Sequence, residues 1–402
     1  MELRKGWLTL LGITLGMCFG AAGLLPYVTG LFAKAVTADL GWTLTQVATV
    51  TSLVSFGTAM AAPIWGAVVD RIGALATAII GYIAMVTALL LLAAVPANLL
   101  LYGVGMASVM WLGTATTAVT FLPVLRQTFD RQRGLALGLM LAGVGIVGVT
   151  APVVMAAVIH GAGWRMGYRF LGLMGVIGGG MAVSIIAATG HGRRRMQHDH
   201  RQKADTSASR SEMLRDPVLW RLLVGFLVLA VAVNGYLFHL VPMLTSYGLS
   251  LERAALTQSA FGLGMITVRL GVGALMDRYF APRLATWLVV LAALGLVILA
   301  GQFGGTAAHV PAALLIGMVY GSEVDLMGYL ASRYFDPASF GKAYGLLYGI
   351  GILGNGTSPL WISYLSHNGT HYTLPLVLSV CLLMIPGLIF TTAPPFRHAV
   401  GH

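Results

Sequence analysis

Apolar runs of about 20 residues recur along the whole length of the chain. A helix of that length spans the hydrocarbon layer of a bilayer, and such runs are too long and too uniformly apolar for strands of an outer-membrane barrel. Counting them predicts twelve spans, at residues 7–32, 46–69, 74–95, 98–122, 135–159, 168–190, 218–243, 255–276, 284–303, 310–332, 341–363 and 373–393. The predicted fold class is an all-α polytopic membrane protein with twelve transmembrane helices.

Composition excludes several classes of protein. Only 9% of the 402 residues are charged, whereas soluble domains carry about a quarter. The two cysteines, Cys18 and Cys381, fall in apolar stretches, which argues against a disulfide framework. The sequence has no zinc-binding helix motif, no nucleophile elbow, no Cys-x-x-Cys pair and no phosphate loop. We therefore predict neither an enzyme nor a nucleotide-driven pump, and no metal or cofactor.

Basic residues indicate the orientation in the membrane. With the N-terminus in the cytoplasm, nineteen of the 24 Lys and Arg residues lie inside, four lie outside, and Arg269 lies within a span. The bias accounts for the net charge of +11 without a nucleic-acid partner. Short loops and an Ala/Gly-rich composition favour a bacterial host. We expect a monomeric, multi-pass protein of the bacterial inner membrane, with the lipid bilayer around it and both termini cytoplasmic.

One long polar segment, residues 191–217, divides the chain into predicted bundles at 1–190 and 218–402. Its basic run Arg193–Arg195 is typical of a cytoplasmic anchor near anionic lipid. Three histidines in the segment could bind a metal, although we interpret it as a solvated linker: His191, His198 and His200.

The two halves of the chain resemble each other at a constant offset of 207 residues. Gly-Ala-x-x-Asp-Arg at Gly66–Arg71 recurs at Gly273–Arg278, and Pro152 matches Pro359. A parallel six-plus-six repeat is the arrangement of transporters in which two halves rock about a site near the midplane. The prediction is two pseudo-symmetric six-helix bundles.

These motifs carry a family resemblance. GAVVDRIG at Gly66–Gly73 and GALMDR at Gly273–Arg278 resemble the loop signature of the major facilitator superfamily. The resemblance implies the major facilitator fold. An aspartate and an arginine at a helix end can clasp a neighbouring helix when the cytoplasmic side is shut. The predicted cytoplasmic gate consists of Asp70, Arg71, Asp277 and Arg278.

A narrower resemblance covers most of the chain. FDRQRGLALGLMLAGVGIVG at Phe129–Gly148, FHLVPMLTSYGLS at Phe238–Ser250 and TVRLGVGALMDR at Thr267–Arg278 resemble the monocarboxylate-transporter-like branch, which includes oxalate/formate exchangers. The branch implies that Arg269 holds the substrate carboxylate. Met265 stands where the branch has a carboxylate one turn earlier.

Three charges inside the predicted spans break the repeat. Arg269, Glu323 and Asp325 correspond at the offset to Ala62, Thr116 and Ala118, so packing does not require them. Eight residues separate the arginine from the predicted gate, which places it about 12 Å from the gate along a helix. A cation at that depth costs at least a few kcal/mol unless it faces water or an anion.

Glu323 and Asp325 are two residues apart, so on a helix they point about 200° away from each other. Unless the helix is distorted near Gly321 or Gly328, one is expected to face a cavity and the other a neighbouring helix or the cytoplasmic gate. The sequence leaves open which. A carboxylate that permanently neutralises Arg269 is the alternative. Membrane-buried ions usually mark a substrate or proton path.

The predicted function is therefore secondary active transport of small organic anions, as a proton-coupled monocarboxylate symporter working by alternating access. Arg269 would bind the small carboxylate substrate, and Glu323 or Asp325 would carry the proton. A carboxylate antiporter and a multidrug or toxin efflux carrier are the alternatives. The sequence does not name the carboxylate or the direction of transport.

Other polar and aromatic residues in the spans have weaker signals. Four are predicted to contact substrate, with a gating or packing role as the alternative: Tyr27, Asn234, Tyr236 and His239. Tyr236 and His239 are three residues apart and share a helix face. Tyr344 and Tyr348 are one turn apart, and we interpret them as packing residues, with lining of a cavity as the alternative.

Overall fold

The computed structural model describes residues 2–129, 132–190, 213–303 and 305–396. These residues are 89% helical and contain no strand. Fifteen α-helices are described: α1 Glu2–Phe19, α2 Ala21–Leu24, α3 Thr29–Leu40, α4 Leu44–Ile72, α5 Ala74–Ala93, α6 Leu99–Gly113, α7 Ala118–Thr128, α8 Arg133–Ala188, α9 Pro217–Val233, α10 Tyr236–Ser246, α11 Leu251–Arg278, α12 Ala281–Gly301, α13 Gly305–Tyr334, α14 Pro337–Leu365 and α15 Thr373–Thr391. The predicted all-α class is confirmed.

Local signals in the sequence explain several helix ends. Gly41 ends α3 in the left-handed conformation, with φ of 68°, which glycine adopts without steric cost. The Thr43 side chain then accepts a hydrogen bond from the Gln46 amide, while the Gln46 side chain accepts one from the Thr43 amide. This capping box satisfies backbone donors that α4 would otherwise leave unpaired.

The longest helix, α8, has 56 residues and turns at Gly163, whose φ is 78° and ψ 169°. A straight helix of that length would measure about 84 Å, far more than a bilayer is thick. The turn divides α8 into two segments, which correspond to the predicted spans at 135–159 and 168–190. Trp164 and Arg165 follow the turn, and both donate hydrogen bonds to Asp39 at the end of α3, over 2.8 and 3.1 Å.

Nine helical segments of the described chain are long and apolar enough to cross a membrane: Ala21–Leu40, Leu44–Ile72, Ala74–Ala93, Leu99–Thr128, Leu135–Ala188, Pro217–Ser246, Ala281–Gly301, Gly305–Tyr334 and Thr373–Thr391. Large apolar side chains such as Met60 and Met384 are 74% and 72% exposed on these helices. Exposure of this kind is expected where lipid covers the protein. Helices α11 and α14 are predicted spans that are not among the nine, and the exact number of twelve stays a prediction.

Contacts within the chain define two compact units. The first contains the described residues up to 190 together with Leu237–Leu263, and the second contains 213–236 and the described residues from 264 onward. In the first unit α8 packs against α1 and α5, and in the second α9 packs against α13, α14 and α15. The predicted division at 191–217 stays a prediction, since residues 191–212, including the three linker histidines, lie outside the described part.

Candidate functional site

The predicted substrate arginine lies where two helices of the second unit cross. The Arg269 side chain on α11 donates a hydrogen bond from Nε to the carbonyl oxygen of Gly321 on α13, over 3.1 Å. A Cβ atom at Gly321 would lie 2.7 Å from the Cα atom of Met265 on α11, so only glycine allows the helices to approach this closely. The crossing directs Arg269 towards α13 and away from the exposed leucines of its own helix.

Arg269 is half-buried, and its only side-chain hydrogen bond to a described residue is the one from Nε. It forms no ion pair with any described carboxylate. Asp325, which is also half-buried and lies one turn after Gly321 on α13, is within electrostatic range of the guanidinium. The two Nη groups are therefore left to hydrogen-bond a ligand or water, with one carboxylate nearby.

Glu323 contacts a different helix. Its side chain is 5% exposed, and its Oε2 atom accepts a hydrogen bond of 2.9 Å from the Asn234 side chain at the C-terminal end of α9. Oε1 has no hydrogen-bond partner among the described residues and faces Gly351 of α14, where a Cβ atom would lie 3.6 Å away. A buried carboxyl group with one unpaired oxygen is costly as an anion, which favours binding of a proton there.

Two tyrosines of α14 complete this part of the second unit. Tyr344 lies in the neighbourhood of Asp325, and Tyr348 lies in the neighbourhood of Glu323. The two rings are stacked, with centroids 6.1 Å apart. The structure thus brings both predicted proton-coupling carboxylates, Arg269 and these aromatic side chains together around α13.

The remaining predicted substrate residues are packed among neighbours. The Tyr236 hydroxyl lies 3.0 Å from the Ser379 hydroxyl of α15, and Tyr236 is fully buried. His239 is also fully buried, with its ring 4.9 Å from that of Phe238. A Cβ atom at Gly148 would lie 3.0 Å from Tyr27, which is 5% exposed. Asn234 contacts a predicted coupling residue, Glu323.

The four predicted gate residues lie at the ends of α4 and α11. Asp70 is half-buried, and Arg71 and Arg278 are exposed. The side chain of Asp277 lies outside the described part of the chain. Their role as a gate stays a prediction.

The sequence points to Gly321 only as a place where the helix could distort, whereas in the structure this glycine allows the close approach of α11 to α13. With 52 glycines in the chain, glycine content alone does not distinguish this one. A glycine four residues before an intramembrane carboxylate, as Gly321 is to Asp325, would have been the nearest clue.

Comparison with known proteins places the chain in a family. A family model described as Major Facilitator Superfamily matches residues 10–359. The chain belongs to the major facilitator superfamily. This confirms the broader of the two resemblances and the fold class, and it makes the protein a multi-pass membrane protein of a transporter family that is generally not enzymatic.

Relatives within the major facilitator superfamily are distant. The chain is 24% identical over 276 residues to "MFS transporter asaE" of Aspergillus flavus; the match covers 68% of this chain and 60% of that relative's length. Solved structures share the fold. A bacterial homologue of the human lysosomal transporter Spinster, in an inward-facing and occupied conformation, has a TM-score of 0.73 and 16% identity, with 97% of each chain covered.

Two further solved transporters have the same fold. The nucleoside transporter NupG, in a mutant form, has a TM-score of 0.78 and 12% identity, covering 96% of this chain and 98% of its own. The peptide transporter POT, also a mutant, has a TM-score of 0.74 and 14% identity, covering 97% of this chain and 94% of its own. At such identities the likeness concerns the fold alone.

Proposed function

We propose that this chain is a secondary active transporter of small organic anions, namely a proton-coupled monocarboxylate symporter that works by alternating access. The observation that carries the proposal is the state of Arg269. Its guanidinium lies inside a predicted span and donates one hydrogen bond, to a neutral carbonyl, while no described carboxylate forms an ion pair with it. A membrane-buried cation in this state favours an anionic ligand.

The arrangement supports a sequence of binding steps. In the empty carrier, Asp325 lies near Arg269 and partly balances its charge. An incoming carboxylate takes the two Nη groups, ideally through two parallel hydrogen bonds. The protein carboxylates then face an added negative charge, which favours uptake of a proton by one of them. Substrate and proton thereby travel together.

Uptake of a radiolabelled monocarboxylate into vesicles, with and without a pH gradient, tests the proposal. Arg269→Gln should abolish substrate-dependent uptake while the protein remains in the membrane. Arg253→Gln, an exposed arginine at the start of the same helix, is the matched control and should transport normally. Undiminished uptake by Arg269→Gln would end the proposal. Uptake that needs a carboxylate inside the vesicle, and no pH gradient, would instead identify an antiporter.

We further propose that the protein acts as a monomer in a bacterial inner membrane, with both termini in the cytoplasm. The excess of basic residues in the predicted cytoplasmic loops supports this orientation. Reporter fusions at the two termini that are active only in the cytoplasm test it. Activity of a reporter that requires the periplasm at either terminus would contradict it.

A further inference from the structure

The aromatic side chains of α14 lie on a face that is distinct from its apolar surface. Three exposed leucines form one stripe along the helix: Leu346, Leu353 and Leu360. At 100° per residue, Tyr344 and Tyr348 lie about 120–200° around the helix from these leucines. The exposed part of Tyr348, 46% of the residue, therefore points away from the stripe that lipid would cover.

The rings on this face form a continuous stack. Phe340 and Tyr344 have centroids 6.0 Å apart and are inclined by 10°, and Tyr344 and Tyr348 follow at 6.1 Å and 27°. The two tyrosine hydroxyls have no hydrogen-bond partner among the described residues. Both tyrosines lie about 10–17 Å along the helix from its start at Pro337, deep enough that unpaired hydroxyls call for water or a ligand.

One face of α13 connects these rings to Arg269. Gly321, Asp325 and Gly328 recur at the spacing of a single helix face. Arg269 donates a hydrogen bond to the carbonyl of Gly321, and a Cβ atom at Gly328 would lie 3.6 Å from the ring of Tyr344. Seven residues along a helix measure about 10 Å, so the points on α13 that contact Arg269 and Tyr344 lie about that far apart along the helix, a span comparable to a small aryl acid.

We propose that the substrate class is the aromatic carboxylates, with the carboxylate held by Arg269 and the aryl ring against Tyr344 and Tyr348. The inference rests on the proposed function. It adds the chemical group attached to the carboxylate, which the arginine alone does not specify. Ring-on-ring contacts favour offset-stacked or edge-to-face pairs. On this face of α13 the residue between Gly321 and Gly328 that carries a charge is Asp325, one turn after Gly321.

The test uses the full-length protein in proteoliposomes, with benzoate, phenylacetate and lactate competing for uptake of labelled benzoate. We expect the aryl acids to compete about tenfold better than lactate, because one favourable aromatic contact raises affinity by about that factor. The double variant Tyr344→Leu/Tyr348→Leu should lose most of that preference while lactate uptake persists. Tyr348→Phe, which keeps the ring, should retain the preference.

Tyr364→Leu is the matched control, because this tyrosine lies on the same helix and is 75% exposed near its far end. Thermal unfolding of each purified variant checks that it is folded. If the double variant does not fold, the single variant Tyr348→Leu, at a half-exposed site, replaces it. Equal competition by benzoate and lactate in the unmodified protein, or a preference that survives the leucine variants, overturns the inference alone. Absence of uptake for every carboxylate overturns the proposed function with it.

Discussion

Glu323 and Asp325 are separated by one residue on α13, yet they contact different helices. Glu323 accepts a hydrogen bond from Asn234 at the end of α9, whereas Asp325 lies on the side of Arg269 and α11. The Glu323 carboxyl group forms no ion pair with a described cation, whereas Asp325 lies near the Arg269 guanidinium. The two acids are therefore expected to respond differently to the same amide substitution.

We predict that Glu323→Gln abolishes accumulation driven by a pH gradient and leaves carboxylate exchange at equal pH intact. The reason is that the unpaired Oε1 atom of Glu323 is the place where a proton relieves a buried charge. Uptake into vesicles at several imposed pH gradients, compared with counterflow at constant pH, measures both activities. A Glu323→Gln protein that still accumulates substrate against the gradient contradicts the assignment.

Asp325→Asn should act on affinity instead. Removing the charge that competes with substrate for Arg269 is expected to tighten carboxylate binding several-fold, because the empty state loses its partial neutralisation. Titration calorimetry or thermal stabilisation by benzoate on the purified variant reports the change. Unchanged or weaker binding would show that Asp325 does not compete for the guanidinium.

Gly321→Ala should destabilise the protein by about 1–3 kcal/mol, the usual cost of overpacking, and lower transport. The new methyl group would lie 2.7 Å from the Cα atom of Met265, so α11 must move and carry Arg269 with it. The control is Gly271→Ala on α11, where an added methyl group would have no neighbour within 4 Å among the described residues. Thermal unfolding followed by size-exclusion chromatography compares the two, and equal melting temperatures would refute the prediction.

Ser358→Ala should cost about 1–3 kcal/mol, because it leaves a backbone donor unsatisfied. The Ser358 hydroxyl accepts a hydrogen bond of 2.7 Å from the Gly235 amide, at the break between α9 and α10, and donates one to the Val231 carbonyl. Thr357→Ala is the control, since the hydrogen bonds of that hydroxyl to described residues go only to carbonyls of its own helix. Chemical or thermal unfolding of both variants measures the difference, and the prediction fails if the control is equally destabilised.

Apolar periodicity predicted the membrane class and most spans, because lipid imposes the same requirement on every spanning helix. The first span shows where that reasoning stops. The apolar run predicts one helix at 7–32, but α1 ends at Phe19 and short helical segments follow before α3. The Ala21 amide donates to the Thr116 side chain over 2.9 Å. The hydrogen-bond partner at this break lies 95 residues away in the sequence, so no local pattern predicts the break.

The candidate site, too, has features that the sequence predicts and features that it does not. The depth of Arg269 follows from counting residues along a helix, and the opposed directions of Glu323 and Asp325 follow from helical geometry. Which helix each carboxylate meets depends on how α9, α11 and α14 are rotated about α13. The rotation of α11 is constrained by the close approach at Gly321, a glycine that looks like the other glycines of the spans in sequence.

The turn at Gly163 has a practical consequence for anyone who labels or digests this protein. Helical backbone runs up to the glycine and resumes at Trp164, whose indole and the neighbouring guanidinium are both tied to Asp39. The backbone there offers no extended segment that a protease could bind. An epitope inserted at this turn would have to unwind one of the two predicted spans. Tags that read out topology belong at other connections.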